Sequence, residues 1–205
     1  MSKLNILFTT PWYPSRSHPV QGTFVEEHAK AARLFHEVVV MHHASVRARR
    51  MERRNNRELS GEHGISVYRF RYRGGLNVLS FADYLASGMR CYQHILRGGF
   101  EPQVIHAHTF WSGLLAVTIG KARGIPAVIS EHYAGFRDKR LSLFERWAAG
   151  YAFNRARLIL PVSQSLQKDI EGYGVKAPFQ VMPNAVDPAI FSPKSPHRDR
   201  AGNDR

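Results

Sequence analysis

Short runs of β-type apolar residues alternate along this chain with longer segments of helical spacing, and this alternation constrains the fold more than any other feature. The runs are Leu4–Phe8, Val38–Met41, Ser66–Tyr72, Val104–Ala107, Ala127–Ser130, Leu158–Val162 and Phe179–Met182. Between them, Thr23–His36 carries Phe24, Ala31, Leu34 and Phe35 at helical spacing. Leu79–Leu96 brings Leu79, Leu85, Met89, Tyr92 and Leu96 to one side. Further helices are expected over Gly113–Ala122, Leu141–Phe153 and Ser165–Tyr173. Strands that are apolar throughout are buried on both faces, and the helices between them supply the cover. The expected fold is α/β, an open doubly wound parallel sheet of Rossmann-like type. A chain of 205 residues suits one large domain, able to bury roughly 70% of its unfolded surface. That domain is assigned to residues 1–191. The tail, 192–205, "SPKSPHRDRAGNDR", is almost wholly polar, charged, Pro or Gly and is expected to be disordered.

In open parallel sheets, ligands bind outside the carboxyl ends of the strands. Polar residues collect at those ends here. The first strand leads to Thr9 and Thr10, the strand at 104 to His106, His108 and Thr109, the next to Ser130, Glu131, His132 and Tyr133, and the strand at 158 to Ser163 and then Ser165. In "VIHAHTFW", His106 and His108 stand at i and i+2 of a strand and share a face. They read as satisfied polar residues at a strand end, as a metal site or as a ligand site. His106, His108, Glu131 and His132 could bind zinc, but no later Asp or His cluster completes such a site, and no metal is assigned. The first loop has one glycine, Gly22, directly before a helix. The absence of a G-x-G-x-x-G motif argues against a dinucleotide-binding dehydrogenase. A lone glycine at a helix start either lets backbone N–H groups approach a phosphate or serves a turn.

The formal charge of +13 favours anionic partners. The segment "SVRARRMERRNNRE" carries Arg47, Arg49, Arg50, Arg53, Arg54 and Arg57. If helical, it puts Arg47, Arg50, Arg54 and Arg57 on one face. After it, Arg69, Arg71 and Arg73 alternate with Tyr68, Phe70 and Tyr72, so a strand would turn arginines to one face and aromatics to the other. The pair reads as a solvated helix followed by an edge strand with its aromatics inward, or as a contact with anionic lipid headgroups. No nucleic-acid-binding motif is readable. Cys91 is the single cysteine, so no intrachain disulfide forms, which suits a reducing compartment. No run approaches the ~18 apolar residues of a membrane span, and "MSKLNILFTTPWYP" reads as a first strand, not a signal peptide. The expected location is cytoplasmic, with peripheral contact at the inner membrane face.

The order of several segments carries a resemblance. "PWYP", "QGTFVEEHA", "VIHAH", "GIPAVISEH", "ILPVSQSL" and "VMPNAVDPAIF" follow one another from Leu4 to Phe191. Together they resemble the N-terminal half of glycosyltransferase family 4, retaining enzymes of the GT-B fold. The resemblance implies a Rossmann-like domain that binds the acceptor, a glycan or lipid-linked sugar, and faces a second domain that holds the nucleotide-sugar donor. It implies that Gly22 and Thr23 meet the donor phosphate and that His108 faces the transferred sugar as the catalytic residue. Tyr13, Glu131, His132 and Tyr133 are assigned to the acceptor. Asn184 and Asp187, in the passage toward the second domain, are hinge-like. No cofactor is implied besides the donor itself. The chain stops soon after that passage, so a donor domain is expected in trans and the chain alone is expected to be inactive. The other expectation is a non-catalytic domain that contacts anionic membrane or a partner protein.

Overall fold

The computed structural model describes residues 2–16, 18–46, 55–60, 64–75, 78–138 and 140–188. The strands are β1 (Asn5–Thr10), β2 (Glu37–Val46), β3 (Asn55–Ser60), β4 (Ile65–Arg73), β5 (Val104–His108), β6 (Ala127–Glu131) and β7 (Leu158–Pro161). The helices are α1 (Thr23–Arg33), α2 (Val78–Arg97), α3 (Phe110–Arg123), α4 (Leu143–Phe153) and α5 (Gln164–Glu171). They form one sheet of seven strands in the order β3-β4-β2-β1-β5-β6-β7. Every pairing is parallel except that of β3 with β4. The expected α/β architecture, a doubly wound Rossmann-like sheet, is what the chain adopts.

Two cores lie on the two faces. On one, Val25 and Ala29 of α1 pack on Phe8, Val38, Val40 and Val67. On the other, α2, α3, α4 and α5 cover Leu7, Met41, Phe70, Ile105, Ile129 and Ile159. Central strands thus bury successive residues on opposite sides, which is why they read as unbroken apolar runs. The chain winds outward from β1 to β2 and β4 over α1, then returns past β1 to β5 and winds the other way. That reversal puts the topological switch point between the ends of β1 and β5.

Three local expectations change. Arg57 lies in β3, which pairs antiparallel with β4, so the end of the basic segment is strand and not helix. Arg47, Arg49, Arg50, Arg53 and Arg54 lie outside the described residues, as does the tail from Ser192. With β3 at the rim, β4 is internal and not an edge strand. Its aromatics do turn inward, since Tyr68 and Phe70 belong to the larger core. Finally, Phe179–Met182 is not a full strand. It meets β7 through one bridge, Ile159 to Phe179. Bonds from Gln180 N to Ile159 O (2.9 Å) and Met182 N to Pro161 O (3.0 Å) extend the contact. Pro178 and Pro183 lack the N–H groups that would lengthen such a ladder.

Candidate functional site

The loop from β1 to α1 folds back on itself at the switch point. Thr10 Oγ1 donates to Trp12 O at 2.9 Å and accepts from Trp12 N at 3.1 Å. Gly22, the residue before α1, has φ 77°. A Cβ there would stand 2.3 Å from the carbonyl carbon of Trp12. Only glycine tolerates both that dihedral and that approach. The close contact is with the protein's own backbone, so the loop geometry explains Gly22 without a ligand. Thr23 opens α1 and is exposed. Arg69 fastens the loop from the side. Its guanidinium donates to Pro14 O at 2.6 Å and to His42 Nδ1 at 2.9 Å, and its Cζ lies 5.9 Å from the Tyr13 ring. Tyr13 is 3% exposed and belongs to the α1 core.

Four histidines meet beneath α1. His106 Nε2 lies 2.8 Å from Ser130 Oγ, so His106 is a satisfied histidine. The rings of His106 and His108 stack at 4.6 Å, as residues sharing a strand face should. His108 Nδ1 lies 3.1 Å from His132 Nε2, so one ring must donate to the other. His28 of α1 closes the group, 5.6 Å from His108 and 6.1 Å from His132, and its Nε2 lies 3.4 Å from Asn184 Oδ1. Burial holds His106 down to about 3 and His132 to about 4, with repulsion between the rings adding to it. His28 and His108 are lowered for the same first reason. At neutral pH this is a stack of neutral imidazoles. It offers hydrogen bonds, not cationic charge, to a ligand.

His108 itself has no exposed surface, contrary to the expectation that it opens directly into a cleft. Phe8, His28 and His132 pack around it. Its Nε2 is buried with no hydrogen-bond partner among the described residues. Buried polar atoms are rarely left so. The other histidine nitrogens with partners here face Ser130, Asn184 or a second imidazole. Among the described residues, no group of three or more His, Cys, Asp or Glu side chains is arranged to hold a metal ion.

Glu131 is fully buried on the other side of β6. Its carboxylate accepts from Phe110 N at 2.8 Å and from His132 N and Tyr133 N at 2.9 Å each. Phe110 is the first residue of α3, so Glu131 caps that helix where its dipole is positive. Burial raises its pKa to about 7, against the lowering effect of those three backbone donors. Both carboxylate oxygens of Glu131 are thus engaged within the fold. The same carboxylate braces Thr109, which has φ 78°. A β-branched residue in that region stores on the order of 1–3 kcal/mol of strain. The strain sits directly after His108. Tyr133, 38% exposed, stands beside it at the surface.

On the opposite face, at the same sheet edge, lies a pocket of about 330 Å³. Pro11, His43, Tyr72, Phe81, Tyr84, Trp111 and Phe144 line it. His43 is 2% exposed, and its Nε2 lies 2.8 Å from Ser112 Oγ. Tyr84 Oη donates to Trp111 O at 3.0 Å. His43 Nδ1 is buried without a partner among the described residues. Burial holds His43 down to about 3, so its ring too is neutral. Sequence reasoning missed this pocket because it ended the second strand at Met41. The strand runs on through "HHASV" to Val46, and the alternation of His43 and Ser45 was the available signal. A larger depression, about 500 Å³, lies between α4 and α5 away from the histidines, with Arg137, Arg146 and Lys168 in its wall. Among the described residues no helix is long and apolar enough to cross a membrane.

Comparison with known proteins bears on this arrangement. A family model described as Glycosyltransferase Family 4 matches residues 21–190. No curated protein sequence gives a significant match. Among solved structures, Anabaena HepE in complex with UDP aligns with a TM-score of 0.62 at 19% identity, over 91% of this chain and 46% of that one. Sucrose-phosphate synthase from Thermosynechococcus elongatus aligns at 0.63 and 11% identity, over 92% of this chain and 50% of that one. The catalytic domain of starch synthase IV from Arabidopsis thaliana, bound to ADP and acarbose, aligns at 0.56 and 12% identity, over 95% and 54%. At such identities the likeness is one of fold. The chain spans about half the length of these structures.

Proposed function

The chain belongs to glycosyltransferase family 4, and on that premise we propose that it forms the acceptor-side half of a retaining, sugar-nucleotide-dependent glycosyltransferase. Its setting is the synthesis of a cell-envelope or exopolysaccharide glycan at the cytoplasmic face of the membrane. The donor-binding half is supplied by polypeptide outside these 205 residues, and the chain is inactive without it.

The observation that carries the reading is the buried, unpartnered Nε2 of His108 at the switch point between β1 and β5. A sugar hydroxyl would satisfy it once the α1 cover, His28 with Phe24, shifts on domain closure. The donor diphosphate lies against the first N–H groups of α1, beside Gly22 and Thr23, where the helix dipole favours negative charge. Glu131 offers no nucleophile, since its carboxylate is held by three backbone donors. That supports a front-face displacement: the bond from the sugar C1 to the diphosphate oxygen breaks, the bond from C1 to the acceptor oxygen forms on the same face, and the acceptor proton passes to the leaving diphosphate. The acceptor extends from the pocket lined by His43, Tyr84 and Trp111 over the sheet edge toward Tyr133 and His132 on the α1 side.

The test is a chimera joining residues 1–188 to the donor-side domain of a UDP-sugar-dependent relative such as HepE. Transfer of labelled sugar to a panel of lipid and glycan acceptors is expected, with a loss of about 10²-fold or more for His108→Ala. A chimera that binds UDP-sugar yet transfers to no acceptor, or that is indifferent to His108→Ala, overturns the proposal. The high positive charge favours a second reading, a non-catalytic domain held at an anionic membrane or partner. That reading predicts membrane or partner binding with no transfer in the chimera.

A further inference from the structure

An apolar patch borders the pocket and takes no part in the transfer chemistry. Val78 is 82% exposed and Leu79 70% at the start of α2; Leu143 is 84% exposed and Trp147 51% at the start of α4. Scattered exposed apolar residues need no explanation, but Leu143 and Trp147 share a face of α4 at i and i+4, and Val78 shares a face of α2 with Phe81 at i and i+3. Phe144 stacks on Trp147 at 5.7 Å, and Trp147 lies 5.6 Å from Tyr151, giving α4 an aromatic stripe at i, i+3 and i+7. Phe81 of α2 meets both Phe144 and Trp147 edge-on, at 6.0 and 6.2 Å. The two helix starts therefore form one surface. The fold gives no reason for Leu143 to be apolar, because the Ser142–Glu145 capping box already secures the start of α4.

The charge around the patch is basic. Arg155 lies over the Tyr151 ring at 3.8 Å. Arg137, Arg146 and Lys168 line the adjoining depression, with Asp169. Asp138 faces Arg140 at 3.6 Å, while Glu145 and Asp83 accept from the backbone N–H groups of Ser142 and Arg73, at 2.8 and 2.7 Å, and keep their charge. Tryptophan and tyrosine on an apolar helix face, with arginine beside them, suit the headgroup region of an anionic bilayer. The donor half is not the natural cover for this surface. Asn184, in the last described segment, lies against His28 on the α1 face, across the sheet from the patch.

We propose that the start of α2 and α4, centred on Val78, Leu143 and Trp147, docks on an anionic lipid bilayer and turns the neighbouring pocket toward lipid-linked acceptors. Phe81 and Phe144 belong both to the patch and to the pocket wall, so seating the patch brings the pocket mouth to the headgroups. The acceptor part of this inference rests on the glycosyltransferase reading; the docking part does not.

The experiment is co-sedimentation of the chain with vesicles of phosphatidylglycerol and phosphatidylcholine, and with vesicles of phosphatidylcholine alone. Binding to the anionic vesicles is expected. It should fall at least tenfold for the combined Leu143→Ser and Trp147→Ser variant. Acyl-chain-brominated lipid should quench a fluorescence component that Trp147→Phe removes. Both changes are at exposed positions, so an unchanged thermal midpoint verifies the fold. Equal binding to neutral vesicles, or full binding by the double variant, overturns the proposal. So does binding lost only when the arginines at 47–57 are replaced, or a patch that instead joins two copies of the chain, seen as a dimer that the double variant dissolves. The assay uses neither donor nor acceptor sugar, so its failure leaves the transfer chimera's result standing, and the reverse.

Discussion

Gly22 and His108 illustrate what single residues contribute at the switch point. The glycine before α1 was legible as a special position, but its reason was not, because only the fold brings the Trp12 peptide to 2.3 Å from where a Cβ would sit. Gly22→Ala must relieve both that clash and a positive φ. A destabilisation of about 1–3 kcal/mol or more is expected in urea denaturation. A change under about 0.5 kcal/mol would show that the loop is slack and not a fixed frame. The shared face of His106 and His108 followed directly from their spacing in "VIHAH". Their partners did not. His28 comes from a helix far away in sequence, and only the packing of α1 on this face of the sheet, against Phe8, Val38, Val40 and Val67, brings it to His108. Glu131 looked like a ligand contact because it ends a strand, and it proves to be a helix cap because α3 starts beside it.

At the scale of elements, boundaries were harder to read than existence. β2 continues past its apolar run because parallel pairing with β4 extends to Val46 against Arg73. The pairing partner sets strand length, and hydrophobicity does not. A helix over the basic segment would gather four arginines on one face, but 55–60, at its end, pairs with β4 as the sheet's rim. Arg69, apparently one of three solvated arginines, ties the β1–α1 loop to the sheet through Pro14 O and His42. α4 offers a direct check of local reasoning. Ser142 accepts from Glu145 N at 3.3 Å, and Glu145 Oε2 accepts from Ser142 N at 2.8 Å. Removing the cap by Ser142→Ala should cost about 1 kcal/mol in the same assay. No loss would mean that tertiary packing alone sets the start of α4.

For the whole molecule, the buried titratable groups make stability depend on pH in a defined direction. His28, His43, His106, His108 and His132 all have pKa values lowered by burial, to about 3 for His43 and His106 and about 4 for His132. A histidine of this kind stabilises the fold above its unfolded value of 6.5, and that stability is lost as pH falls toward the folded value. Glu131 has the opposite sign. Raised from 4.5 to about 7, it stabilises most at low pH and loses that contribution as pH rises through 7. Between these ranges the histidines outnumber it. Each net proton contributes up to about 1.4 kcal/mol per pH unit. The thermal midpoint should therefore drop by roughly 10 °C or more between pH 7 and pH 5. A flat profile would mean that the imidazole stack is open to water.

The doubly wound sheet was legible in the alternation of segments because burial on both faces leaves its mark on every strand. The pocket around His43 was not, since six separate segments build it and no one of them carries its signature. The central claim is that this chain supplies the acceptor side of a glycosyltransferase and that donor binding belongs to another half. Calorimetric titration of the chain with UDP- and GDP-sugars tests it most directly. The account predicts no saturable heat at millimolar ligand, because the first N–H groups of α1 hold a diphosphate only together with the facing domain. Saturable micromolar binding to the chain alone would contradict it.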